Sequence, residues 1–315
     1  MPITDHIKKG FTIAIIAHIR PDGDAFGSAF CIRELCNIQG ATGYILCDGA
    51  EMPEHYSFIK DYESVNTAPK DIKYDLCIAV DCADPARMGK YKVLIETLPT
   101  INIDHHKTNP KFGTVDYIFP QACSTCEIVF DLLKDAGVEI TKTMAEYLYI
   151  GLSTDTGNFC HSNTTSKVHR IAAELIDRGV YVTPINTALY KSNTLNNTRL
   201  KAKAIANLIL FEDGKIAFTG VQIHDLKECG CKLNDTEGLI DIPNNLKGVE
   251  AAICIAEQKQ NVYKVSFRSR DTVDVSLAAG VFGGGGHARA AGCMTTGKFE
   301  IVMDKVVSAV KQQFE

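Results

Sequence analysis

Within seven residues of "AIIAHIRPDGDAFGSAF" (residues 14–30), an apolar run ends in one imidazole and two carboxylates, His18, Asp22 and Asp24. Two other apolar runs end the same way. "YDLCIAVDC" places Asp81 after one, and "LPTINIDHH" places Asp104, His105 and His106 after the other. Asp155, in "GLSTDTGNF", follows a stretch of helical spacing. Singly, each residue reads as a turn or a helix cap, because "PDGD" is ordinary turn chemistry. Together, three acidic clusters placed directly after buried strands point to a shared site. Carboxylates that converge in a low-dielectric cleft are costly unless cations neutralise them, so divalent metals are expected. Mixed imidazole and carboxylate donors favour manganese, with magnesium, which prefers all-oxygen shells, as the alternative. If one carboxylate is shared, roughly six or seven ligands suit two ions about 3.5–4 Å apart, the separation used for in-line displacement at phosphorus.

The elements that must position these groups follow from the hydrophobic pattern. Short apolar runs alternate with helix-like segments through the first half, the signature of a mainly parallel sheet covered by helices. "FTIAIIAH" reads as a strand, "AFGSAFCIRELCNIQG" as a helix ended by Gly40, and "ATGYILCDG" as the next strand. In open parallel sheets the ligand crevice lies at the carboxyl ends of the strands, so residues distant in sequence converge there. "STCEIVFDLLKDAG" carries a capping box, Ser124 with Glu127, and a terminating Gly137. The segment ahead of Asp155 reads as helix through about Ser153, and "TTSKVHRIAAELIDRG" as another capped helix. After the polar stretch "YKSNTLNNTRL" the pattern changes to strands with more alternation. The expected division is a catalytic domain over 1–189, a linker over 190–200, and a smaller α/β domain over 201–315.

Composition narrows the function classes. The 315 residues, 45% hydrophobic, suffice for two globular domains. No stretch approaches the roughly 18–20 apolar residues of a membrane span, and "MPITDHIKKGF" lacks a signal-peptide core, so the reading is cytoplasmic. The twelve cysteines are scattered through apolar runs and suit a reducing compartment. "CSTC" and "CGC" lack the second pair of a zinc site and read as structural. A formal charge of −5 gives no global pull toward nucleic acid, so a polyanionic substrate must be held locally. His6, His55, His161, His169 and His224 have no comparable context.

In the second half, "FGGGGHARAAG" supplies four consecutive glycines whose backbone N–H groups can approach an anion or a base. Alone, such a run reads as a flexible loop. "SFRSR" adds Arg268 and Arg270, and His287 and Arg289 follow the glycines, which strengthens a phosphate- or base-binding reading.

"HIRPDGD", "DHH", "GLSTDTGNF" and "GGGGHARAAG" together resemble the DHH phosphoesterase superfamily, in its branch with a C-terminal DHH-associated domain. The resemblance spans nearly the whole chain. It implies that His18 and Asp22 bind one metal, Asp24 and His105 the other, that Asp81 bridges them and that Asp155 completes the cluster. It further implies that His106 faces the substrate phosphate while Asp104 orients the histidines. Arg268, Ser269, Arg270, Gly284, Gly285, Gly286 and His287 would grip the nucleotide portion of the substrate, with the active site in the cleft between the domains. The implied activity is hydrolysis of short RNA or DNA oligonucleotides, linear dinucleotides such as pApA, or 3′-phosphoadenosine 5′-phosphate (pAp), by in-line attack of a metal-bridging hydroxide. A pyrophosphatase or exopolyphosphatase of the same superfamily and a non-enzymatic nucleotide-binding module are the alternatives. Whether the chain forms a homodimer stays open.

Overall fold

The computed structural model describes residues 2–49, 52–270 and 273–314. The chain divides into two compact units, Met1–Ser192 and Asn193–Glu315.

The first unit holds five strands: β1 (Thr12–Ile16), β2 (Thr42–Leu46), β3 (Leu76–Val80), β4 (Thr100–Asp104) and β5 (Val115–Ile118). All pair in parallel, in the order β2-β1-β3-β4-β5. β3 and β4 are buried at every position, which is why they read as unbroken apolar runs. Five helices follow the pattern: α1 (Gly23–Ile38), α2 (Thr125–Asp135), α3 (Lys142–Asp155), α4 (Ser166–Asp177) and α5 (Val182–Tyr190). One face of the sheet packs on α1, α2 and α3 through Ile13, Phe26, Phe30, Val129 and Leu148. The other buries Ala14, Ile16, Cys77, Ala79 and Met88 beneath the 3-10 segment Pro85–Glu96. Ser124 Oγ accepts from Glu127 N–H as the capping box requires, but the Glu127 carboxylate returns to the N–H of Cys123.

The order reverses between β1 and β3, so the switch point of the sheet lies where β1 leads to α1 on one side and β3 leads onward on the other. His18, Asp81 and Asp104 leave the sheet on three adjacent strands at this end.

The second unit begins with α6 (Leu195–Ala206), so most of the stretch read as a linker is helix. Only Leu200 and Ala204 of α6 are buried, too few apolar positions for its polar sequence to announce a helix. A six-stranded mixed sheet follows, from β6 (Ile209–Phe211), β7 (Ile216–Val221), β8 (Ala251–Lys259), β9 (Val262–Ser269), β10 (Gly285–His287) and β11 (Ala290–Thr296). Its order is β10-β11-β9-β8-β7-β6, parallel only between β7 and β8. α9 (Val275–Gly280) and α10 (Phe299–Lys311) cover one face, and α6, α7 (Ile223–Cys229) and α8 (Asp241–Asn244) the other. Among the described residues, no helix is long and apolar enough to cross a membrane.

α1 and α3 approach closely because glycines face the contact. A Cβ on Gly27 would run into the carbonyl oxygen of Tyr147 and lie 2.9 Å from Cys126 Sγ. Gly27→Ala is therefore expected to cost ~1–3 kcal/mol by overpacking. Denaturant unfolding checks this, and an unchanged midpoint would show that the two helices separate freely.

Candidate active site

The site is built from strand ends and helix ends. Asp22 is the N-cap of α1: its Oδ1 accepts from the N–H groups of Asp24 (3.1 Å) and Ala25 (3.0 Å). Its Oδ2 lies 3.8 Å from His18 Nε2, so one oxygen starts the helix and the other faces the cluster. Asp24, fully buried in the first turn of α1, is met by the N-terminus of α2. Thr125 N–H donates to its Oδ2 (2.6 Å) and Cys126 N–H to its Oδ1 (2.8 Å). A helix N-terminus favours negative charge, which places Asp24 on a positive pole. Gly151 of α3 makes room for it, since a Cβ there would come within 2.7 Å of Asp24 Oδ1.

Asp81 follows β3 at φ 56°, an uncommon conformation for a side chain other than glycine. Its N–H is held by Ile103 O at 3.0 Å, and the turn aims the carboxylate inward. Oδ2 lies 3.4 Å from His18 Nε2, while Oδ1 lies 3.6 Å from His105 Nε2 and accepts from Thr125 Oγ1 at 3.1 Å. Asp155, at the C-terminal end of α3, lies 3.2 Å from His105 Nε2.

Three donor groups result, each with atoms within 4.8 Å of one another: His18, Asp22 and Asp81; Asp24, His105 and Asp155; and Asp81, His105 and His106. The first thus brings His18 and Asp22 together with Asp81, and the second brings Asp24 and His105 together with Asp155. Asp81 belongs to the first and third groups and His105 to the second and third, so the cluster is continuous. None of His6, His55, His161, His169 and His224 belongs to such a group among the described residues, nor does any cysteine. Cys123 and Cys126 are buried thiols, and burial pushes the Cys126 thiol well up, an inert state.

The electrostatics fit divalent cations. Burial first, then the Asp81 carboxylate, raises the Asp24 pKa to about 7. Burial and the charges of Asp24, Asp22 and Asp81 push Asp155 well above the usual carboxylate range. Burial works against the charged form of His18, yet Asp22 and Asp81 outweigh it and raise its pKa to about 10. Each of these shifts reflects an excess of negative charge that cations would relieve. His18 Nδ1 lies 2.8 Å from the Ile19 carbonyl and 2.9 Å from Arg87 Nη2, which leaves Nε2 facing Asp22 and Asp81.

Asp104 stands behind the histidines. Fully buried, its Oδ1 accepts from His106 Nδ1 (2.7 Å) and from His105 N–H (2.9 Å), and its Oδ2 from Asn109 Nδ2 (2.7 Å). Burial alone would raise its pKa, but His106 and Asn109 hold it below the ordinary value. Asn102 of β4 continues the network, donating to Asn109 Oδ1 (3.0 Å) and Asp116 Oδ1 (2.9 Å). Sequence reasoning missed Asn109, Asn102, Thr125 and Arg87, whose Nη2 lies 2.9 Å from His18 Nδ1. Asn102 was the one with a signal, as an amide inside an apolar strand must find partners.

In the second unit the glycine run is an edge strand. β10 pairs antiparallel with β11, and Cβ atoms on Gly284 or Gly286 would collide with Cys293 and Ala291. Gly286, at φ 145°, also needs glycine for its backbone, whereas above Gly285 there is open space. His287, Ala290, Arg268 and Ala252 stand in register across four strands and so share one face. Ser269 and Arg270 serve the fold. Ser269 Oγ bonds the carbonyls of Val273 and Ala288, and Arg270 Nη2 bonds those of Asn244 and Leu246.

The first unit's residues 12–152 match the model of the DHH family, N-terminal domain, and residues 213–315 match that of the DHHA1 domain. The chain is 31% identical over 303 residues to the bifunctional oligoribonuclease and PAP phosphatase NrnA of Thermus thermophilus, covering 96% of this chain and 90% of that protein. The Bacillus subtilis protein of the same name is 28% identical over 284 residues, with 89% and 88% covered. A solved structure, an exopolyphosphatase-related protein from Bacteroides fragilis, superposes with a TM-score of 0.90 at 24% identity, covering 98% of this chain and 95% of that one.

A carboxyl whose pKa is raised by folding stabilises the fold at low pH and loses that contribution as pH rises through the folded value. Asp24, raised from 3.8 to about 7, and Asp155, raised in the same sense, therefore leave the ion-free protein less stable at about pH 8 than at about pH 5. Added manganese should raise the melting temperature more at the higher pH. Equal increments at both would refute this account of the cluster.

Proposed function

The chain belongs to the DHH family of metal-dependent phosphoesterases, with a DHHA1 domain following, and we propose on that footing that it hydrolyses short oligonucleotides, linear dinucleotides and pAp with manganese at the His–Asp cluster. The observation that carries the reading is Asp81, whose two oxygens face His18 on one side and His105 on the other, as a carboxylate shared by two ions would need. His18 and Asp22 would hold one ion, and Asp24, His105 and Asp155 the other. Such ions, when bound, lower the pKa of water and offset charge at phosphorus.

The chain's own residues supply the rest. Asp104 fixes the His106 ring by accepting its Nδ1 proton. Burial lowers the His106 pKa, but Asp104 and Asp81 outweigh it and raise it, which favours a proton on this ring for a leaving oxygen. Asn109 and Asn102 keep Asp104 from turning away. In the second unit, Arg268 and His287 take the nucleotide portion over the open backbone at Gly285. The names of the relatives support an oligonucleotide and pAp substrate class over pyrophosphate or polyphosphate.

A manganese-supported panel of pAp, pApA, RNA oligomers of increasing length, pyrophosphate and polyphosphate tests the reading. Preferred turnover of pyrophosphate or polyphosphate would overturn it. Asp81→Ala should lower kcat by more than the roughly 10–100-fold that loss of an outer partner costs, and Asp104→Asn should fall within that range. Near-wild-type turnover by Asp81→Ala with metal bound would remove the bridging role. His287→Ala should depress pAp and dinucleotide hydrolysis sharply while sparing a small aryl phosphodiester, because remote binding energy helps only substrates able to use it. Equal losses on both substrates would refute the division between cleaving and selecting units.

A further inference from the structure

The Pro85–Glu96 segment brings a cation against the carboxylate cluster of the first unit. Arg87 Nη2 lies 2.9 Å from His18 Nδ1. Its reach extends to His106 as well: burial lowers the His106 pKa, Asp104 and Asp81 outweigh that burial, and the Arg87 charge opposes them. Asp81 spans the same two rings, with Oδ2 3.4 Å from His18 Nε2 and Oδ1 3.7 Å from His106 Nδ1. The guanidinium thus borders the group formed by His18, Asp22 and Asp81 on the side of the third histidine.

The backbone that carries Arg87 is fixed while its side chain is exposed. Asp84 caps the segment, its Oδ1 accepting from Ala86 N–H at 2.6 Å. Ile19 N–H donates to the Arg87 carbonyl at 2.8 Å, which ties the segment to the residue after His18. Met88 is buried, and Gly89, at φ 58°, lies so near Asp48 that a Cβ there would run into its carboxylate. The fork itself has no ion pair among the described residues, and its partner His18 Nδ1 also lies 2.8 Å from the Ile19 carbonyl. An imidazole that presents Nε2 to an ion keeps its proton on Nδ1. That proton then goes to the Ile19 carbonyl, and Arg87 is left without an acceptor at the edge of the cluster.

We propose that Arg87 is a catalytic residue whose guanidinium holds non-bridging oxygens of the scissile phosphate between His18 and His106. A planar fork suits two oxygens of one phosphate, and donors already aimed at charge that develops in the transition state stabilise it without reorganising. Because the contact is to the reacting phosphate, it serves any phosphodiester that reaches the cluster, unlike the nucleotide grip assigned to His287. This rests on the phosphoesterase reading above.

Two measurements on the full-length, manganese-loaded protein test it. Calorimetric titration with inorganic phosphate should show saturable binding that weakens about tenfold or more in Arg87→Ala, an increment of about 1.4 kcal/mol, while manganese affinity and melting temperature stay unchanged. Arg87→Lys should recover part of the phosphate affinity, since it restores the charge without the fork. In turnover, Arg87→Ala should lower kcat by roughly 10²–10³-fold, the cost of removing one preorganised donor, and by the same factor for pApA and for a small aryl phosphodiester. Phosphate affinity unchanged in Arg87→Ala, or no saturable phosphate binding by the wild type, overturns the proposal. So does a loss confined to pApA, which would move the contact away from the reacting phosphate. A matching loss of manganese affinity also overturns it, because Arg87 would then act through His18. If phosphate binding depends on Arg87 yet the wild type hydrolyses neither substrate, the contact stands and the hydrolase reading fails.

Discussion

Repulsion among carboxylates crowded at one sheet edge governs this protein. Asp22, Asp24, Asp81 and Asp155 are gathered where water screens them poorly, and without cations protons must fill the place of positive charge. The fold tolerates this by giving three of them a second partner. Asp22 caps α1, Asp24 accepts from the first turn of α2, and Asp81 accepts from Thr125. These three are thus held in place by structural bonds, which leaves the cluster oriented before any ion binds.

That orientation depends on backbone proximity. Gly27 and Gly151 let α1 and α3 close on each other, so that Asp24 from one and Asp155 from the other meet the same His105. The amide network from Asp104 through Asn109 and Asn102 does the corresponding work beneath the histidines. Buried polar groups at such positions are tolerable only when every member is paired, and here they rigidify the end of β4.

The parts legible in the sequence were those with a period or an abrupt change of chemistry. Apolar runs that stop at His18, Asp81 and Asp104 reveal both the parallel sheet and its active edge, because a fully buried strand leaves an unbroken signature. Thr125 and Arg87 carried no such mark, since their roles arise only when α2 and the Pro85–Glu96 segment fold against the cluster. α6 was hidden by its own polarity. Ser269 and Arg270 show what residue type alone leaves out: both meet loop carbonyls, a use that only tertiary structure reveals.

The spread of the cluster along the chain also shapes the protein's biogenesis. His18 is made early, whereas Asp155 arrives only when the first unit is nearly complete, and Asp81 and His105, made between them, link their two groups. A ribosome-bound fragment therefore lacks a member of the cluster until about half of the 315-residue chain has been made. Until then no nascent fragment carries the full set of imidazoles and carboxylates, a delay that comes from topology alone.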